Sequence, residues 1–225
     1  MSTGQLSAEA TALRTPRAAA VAGIAFSVLL ITALVLIQLS VPGNPAVPGA
    51  WLAHSGRRTA VIVALNLVPF AGIAFLWFIG VIRDRIGDRE DRFFATVFLG
   101  SGLLFVAMLF VAAAVAGGLL AGASAARRSG LPGADTLLLG RHVTALLLNV
   151  YAMRMAAVFS LSTVTIARRT RILPRWLVVA GVVTALVLLI GVGFSPWVEL
   201  LFPAWILLLS VDFLFAGRRA LAGTT

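Results

Sequence analysis

The sequence predicts an all-α fold: a polytopic bundle of six transmembrane helices with both termini on the cytoplasmic side. Three observations carry this expectation. Of 225 residues, 60% are hydrophobic and 12% charged, with a mean hydropathy of +1.04; a soluble domain runs nearer half apolar and a quarter charged. The apolar residues fall in blocks of about twenty, the length that crosses ~30 Å of hydrocarbon. The 18 basic residues are all arginine and gather at the block ends. A soluble reading would have to bury six helices, each apolar on every side, in one small core.

The elements follow in order. Residues 1–17 are small and polar and read as a disordered cytoplasmic tail. Ala18–Ser40 is 23 residues long, too long for a signal-peptide core, and reads as an uncleaved first span. Residues 41–58 are rich in Pro and Gly and read as a loop where Trp51 and Leu52 touch the membrane interface. The second span, 59–82, contains Pro69, whose missing N–H leaves the Leu65 carbonyl without its helical partner. Residues 83–92 hold eight of the 26 charges and read as a tight turn. There Gly87 stops one helix, and Asp88 caps the next with Glu90 and Asp91 in its first turn.

The third span, 93–121, is rich in small residues. Ala114, Gly118 and Gly122 recur every four positions, a spacing that lets two helix backbones approach closely in lipid. In the next loop Asp135 opens a short interfacial turn over 136–139. The fourth span, 142–167, is the most polar, and a basic loop, 168–175, follows it. Pro174 suits the first turn of the fifth span, 174–193. Ser195 caps the sixth, 196–217, with Pro196 at its first position, and 218–225 is a short cytoplasmic tail.

Orientation follows from the arginines. Twelve lie on one side: Arg14, Arg17, four within 83–92, four within 168–175, Arg218 and Arg219. Five lie on the other: Arg57, Arg58, Arg127, Arg128 and Arg141. The positive-inside rule puts the twelve in the cytoplasm. Their place at helix ends suits anionic lipid head groups, not nucleic acid, since no basic patch is interleaved with aromatics. The absence of Cys excludes disulfides and thiolate metal sites. Gly56-Arg-Arg-Thr-Ala and Gly140-Arg-His-Val-Thr-Ala open spans two and four, with Asn66 and Asn149 ten and nine residues on. A parallel repeat of spans 2–3 and 4–5 and chance similarity of apolar segments both account for this echo.

Among the polar residues Arg154 stands out. It lies 12 residues past His142 and 14 before Arg168, hence ~20 Å from either end of its span. A charge at that depth costs from about 3 kcal/mol upward and normally faces a partner or water. Depth counting places it nearer Asn66 and the Pro69 kink than Asp212. Tyr151, Arg154, Ser162 and Thr165 fall on one helical face, with Asn149, Ser160 and Thr163 on the adjacent one. Together they predict a polar seam turned toward the bundle centre. It reads either as an interhelical hydrogen-bond clamp or as an anion or polar-solute site. Asp212 and Glu199 are candidates for proton titration within the sixth span. His54 and His142 fall near the outer face. They read as unrelated interfacial residues or as ligands for haem or a metal; no cofactor or metal is expected.

The run Phe75-Leu-Trp-Phe78, the charged turn through Phe93 and Phe94, and Phe98-Leu-Gly-Ser-Gly102 resemble a pattern in uncharacterised multi-helix bacterial membrane proteins. The resemblance covers about 30 residues, implies a helical bundle and brings no activity with it. No nucleophile–base pair, HExxH or phosphate loop is present, so an enzyme is not expected. The expected role is a non-catalytic accessory or structural membrane protein of the bacterial inner membrane. It would pack with itself or a partner subunit through the third span. The alternative is a small-solute or ion permease with Arg154 at its polar centre.

Overall fold

The computed structural model describes residues 3–41, 50–86, 92–126, 134–170, 173–191 and 195–222. Among them there is no strand, and seven α-helices carry nearly all of the chain. They are α1 (Thr3–Ser40), α2 (Ser55–Ile86), α3 (Arg92–Ala126), α4 (Ala134–Ala145), α5 (Met153–Thr170), α6 (Arg175–Ile190) and α7 (Leu201–Ala222). A π-helical segment, Leu146–Ala152, joins α4 to α5, so these three form one continuous rod. Two 3-10 turns, Ala50–Ala53 and Pro196–Leu200, lead into α2 and α7.

Five stretches are long and apolar enough to cross a membrane: Ala18–Ser40, Ser55–Arg83, Ala95–Ala123, Asp135–Arg169 and Trp197–Phe215. The predicted fifth span corresponds to α6, whose 16 residues reach ~24 Å. The expected all-α, multi-pass bundle is therefore what the chain builds, with α6 its shortest rod.

Three local expectations are corrected. Of the tail predicted over 1–17, the described part is helical: α1 begins at Thr3 and runs unbroken into the first span. Its alanine-rich stretch has high intrinsic helix propensity, and a helix already nucleated by the span extends at little cost. The predicted short turn over 136–139 is part of α4, with Asp135 in its first turn, where its charge suits the helix dipole. The loop predicted over 41–58 is helical from Ser55 onward, after the 3-10 turn. The turn residues Gly87, Asp88, Glu90 and Asp91 lie outside the described residues. At the start of the sixth span Ser195 does cap: its side chain accepts from the Trp197 N–H at 3.4 Å, with Pro196 following.

The rods close into a ring in the order α1, α2, α3, α5, α6, α7 and back to α1. Seven phenylalanines fill its axis: Phe26, Phe75, Phe78, Phe98, Phe105, Phe159 and Phe202, none more than 1% exposed. Phe75 is central. Its ring centroid lies 4.5 Å from that of Phe26, 5.1 Å from Phe159, 5.3 Å from Phe105 and 5.7 Å from Phe202. Tilted and edge-to-face pairs of this kind add about 0.5–1.5 kcal/mol each beyond area burial.

The close helix approaches are made at glycines other than the predicted α3 stripe. A Cβ on Gly23 would collide with Ser210 and Phe78, so α1 meets α7 there. One on Gly181 would meet Trp205 at 2.7 Å, where α6 meets α7. The same contact is tied by the Trp205 indole N–H, which donates to the Leu177 carbonyl at 3.2 Å. By contrast Ala114, Gly118 and Gly122 are exposed, and a Cβ on Gly118 or Gly122 would meet nothing within 4 Å. The small-residue stripe of α3 does not pack inside the chain.

Candidate functional site

The predicted polar seam is only partly turned into the bundle: Ser160, Ser162 and Thr163 are buried and Asn149 and Thr165 half-buried, but its charged centre is outside. Arg154 is exposed on α5, and Tyr151, 56% exposed, lies one turn before it on the same outward face. Asn66 is exposed on α2, where its Nδ2 donates to the Ile62 carbonyl at 2.8 Å. α3 stands between α2 and α5 in the ring. Arg154 therefore does not meet Asn66 within one chain, and the expectation that it turns inward is overturned.

The physical reason lies in the face that α5 buries. Ala152, Ala156, Ala157 and Ser160 are all 0% exposed, as is Phe159. That strip of small residues lets α5 settle close against its neighbours and leaves the Arg154 side outward. The hydroxyls of the seam are satisfied locally. Ser160, Ser162, Thr163 and Thr165 each donate to the carbonyl four residues back, at 2.8–2.9 Å. Ser27 and Ser210 do the same at the α1–α7 contact. None of these is an interhelical bond.

Asn149 departs from the rest. It sits in the π-helical segment, is half-buried, and lines a cavity of about 350 Å³. π turns interrupt helical phase and often mark functional sites. Here the segment turns Asn149 inward while Tyr151 and Arg154 face out.

The cavity occupies the arginine-poor half of the bundle. Its wall comes from the last third of α1, the Ala50–Ala53 turn, the first half of α2, the second half of α3, α4 with the π segment, and Glu199 ahead of α7. Leu65, whose carbonyl loses its helical partner to Pro69, is on that wall. Trp51 and Leu52, expected at the membrane interface, are half-buried there too. Of 25 lining residues, only Gln38, Trp51, Arg141, Thr144, Asn149 and Glu199 have polar side-chain atoms. Thr144 spends its hydroxyl on the Gly140 carbonyl at 2.8 Å. Gln38 and Arg141 have interaction partners already.

Glu199 is the exception. It is 6% exposed, and its Oε2 is enclosed with no hydrogen-bond partner among the described residues. The 3-10 turn Pro196–Leu200 holds it, between the Ser195 cap and Pro203 in the first turn of α7. Pro203 has no N–H for the Glu199 carbonyl, which is why the chain stays tighter than α-helical there. Burying a polar group without a partner costs about 1–3 kcal/mol.

Asp212, the other acid singled out, is half-buried on α7, 13 residues from Glu199 and thus ~20 Å along the helix. The two do not share a site. His54 and His142 are both exposed, and among the described residues no three His, Asp or Glu gather as a metal would need. Sequence reasoning missed the cavity and the phenylalanine axis, since neither has a local signature. It also passed over Ala19, Gly23 and Ser27, a buried small-residue repeat on α1 that the spacing test used on α3 would have found. In comparisons with known protein families, curated proteins and solved structures, nothing matches this chain.

Proposed function

We propose that the chain is a non-catalytic structural subunit of a bacterial cytoplasmic membrane, with both termini inside, which associates laterally with further copies of itself. The observation that carries this reading is Arg154: a guanidinium at mid-span, exposed on the outward face of α5. Against acyl chains it would cost from about 3 kcal/mol upward, so a neighbouring membrane chain is its natural partner. Asn66 has the right chemistry. It is exposed on α2, and with Nδ2 engaged on Ile62 its Oδ1 remains as an acceptor. By residue count Arg154 lies ~21 Å from Arg168 and Asn66 ~26 Å from Arg83, about one turn apart in depth. The pairing expected within one chain is therefore available between two. The open stripe Ala114, Gly118 and Gly122 on neighbouring α3 lies nearer the arginine-poor end and offers a further place of close backbone approach. A face of α5 meeting a different face, that of α2, is a head-to-tail contact. The twelve-to-five distribution of arginines supports the orientation.

A permease centred on Arg154 gains no support from the geometry. Arg154 does not line the cavity, and phenylalanine rings fill the axis. The chain has no Cys, which makes the test direct. Copies carrying Tyr151→Cys are mixed in nanodiscs with copies carrying Phe70→Cys, and disulfide formation between them is expected. Arg154→Gln should leave the fold intact and shift the assembly toward monomer. A wild-type chain that is monomeric in lipid overturns the proposal. A different chain, with a carboxylate against Arg154, would replace self-association with a hetero-oligomeric role.

A further inference from the structure

We infer that the cavity at the arginine-poor end is a binding site for a membrane-soluble amphiphile whose apolar body ends in a hydrogen-bond-donating, cationic head received by Glu199. This does not rest on the self-association reading, since the cavity wall and the outward faces of α2 and α5 that carry Asn66 and Arg154 are separate surfaces. Three observations converge on it. The space is about 350 Å³, within the range of small-molecule sites. Its wall is apolar at 19 of 25 residues, so it excludes a freely hydrated solute and accepts a hydrocarbon body. The single carboxyl on that wall is buried, and its Oε2 has no donor from the described residues.

The complement of a buried acceptor in an apolar wall is a donor on an apolar molecule. An ammonium fits best, because a charge-assisted hydrogen bond to a carboxylate is stronger than a neutral one. Gln38, Thr144 and Asn149 lie on the same wall and can orient polar atoms next to the head. Arg141 is also there, already partnered. It makes the opposite prediction, an anionic head, and so defines the competing outcome. Pro203 and the Ser195 cap hold the 3-10 turn, so the carboxyl is placed before any ligand arrives.

The test uses the whole purified protein and four probes of one chain length: dodecylamine, dodecanol, dodecanoate and dodecane. Retention is read by native mass spectrometry after release from nanodiscs. One dodecylamine per chain is expected, with dodecanol weaker and dodecane weakest. Glu199→Gln keeps the shape and should weaken the amine by about tenfold or more, leaving dodecane unchanged. Ala116→Phe, a change on the wall that leaves Glu199 in place, should reduce retention of all four probes. Thermal unfolding confirms that each variant is folded. If Glu199→Gln fails to fold, Ala116→Phe together with the ranking of the four probes decides. Equal retention of amine and dodecane, tighter retention of dodecanoate, or amine binding unchanged in either variant overturns the inference.

Discussion

At the residue scale two kinds of glycine separate. Gly23 and Gly181 stand where a side chain would run into a neighbouring helix; Gly118 faces open space. Gly23→Leu is expected to destabilise the fold by about 1–3 kcal/mol, the usual range for overpacking, read as a lower unfolding temperature in detergent. Gly118→Leu should leave that temperature unchanged and instead weaken lateral association, because its small face is available only to another chain. Trp205→Phe keeps most of the packing but removes the donor to the Leu177 carbonyl. Interhelical hydrogen bonds in membranes average about 0.6 kcal/mol, so a loss of that order is expected. Both Glu199 and Arg154 are conspicuous charges in the sequence. Their surroundings differ in a way their positions do not announce, for one is enclosed on the cavity wall and the other points outward.

At the element scale the π-helical segment matters most. Reading span four with one 3.6-residue period grouped Asn149 with Ser160 and Thr163, and Tyr151 with Arg154 and Ser162. The segment Leu146–Ala152 changes the hydrogen-bond pattern and carries Asn149 on the cavity wall; Arg154 and Ser162 both follow it on α5, where Arg154 faces out and Ser162 is buried. A single period cannot register a change of hydrogen-bond pattern within a helix. Helix starts were more legible where side-chain chemistry marks them, as Ser195 and Pro196 do. They were less so at Thr3 and Ala134, where helices extend beyond their apolar cores. Pro69→Ala returns an N–H to the Leu65 carbonyl. It should tighten α2 beside Leu65 on the cavity wall and beside Asn66 on the outward face, so both dodecylamine retention and lateral association are expected to change.

At the scale of the whole molecule the phenylalanine axis organises the ring. Phe75→Ala would remove the ring that touches most of the others, and a loss of about 3–5 kcal/mol is expected, measured by denaturation in mixed micelles. Because these rings fill the centre, liposomes containing the protein should show no solute flux that depends on Arg154. The class of fold was legible from length and hydropathy alone. In hydrocarbon every backbone polar group must bond within its own segment, so twenty apolar residues leave helix as the available structure. That solvent constraint acts on each span separately and is written in local composition. Which face each rod turns inward is a different matter. It is decided by the fit of Gly23 to Ser210, of Gly181 to Trp205 and of seven phenylalanines to one another. Those contacts join residues far apart in the chain, and only the packed bundle puts Arg154 on the outside and Glu199 on the wall of an apolar cavity.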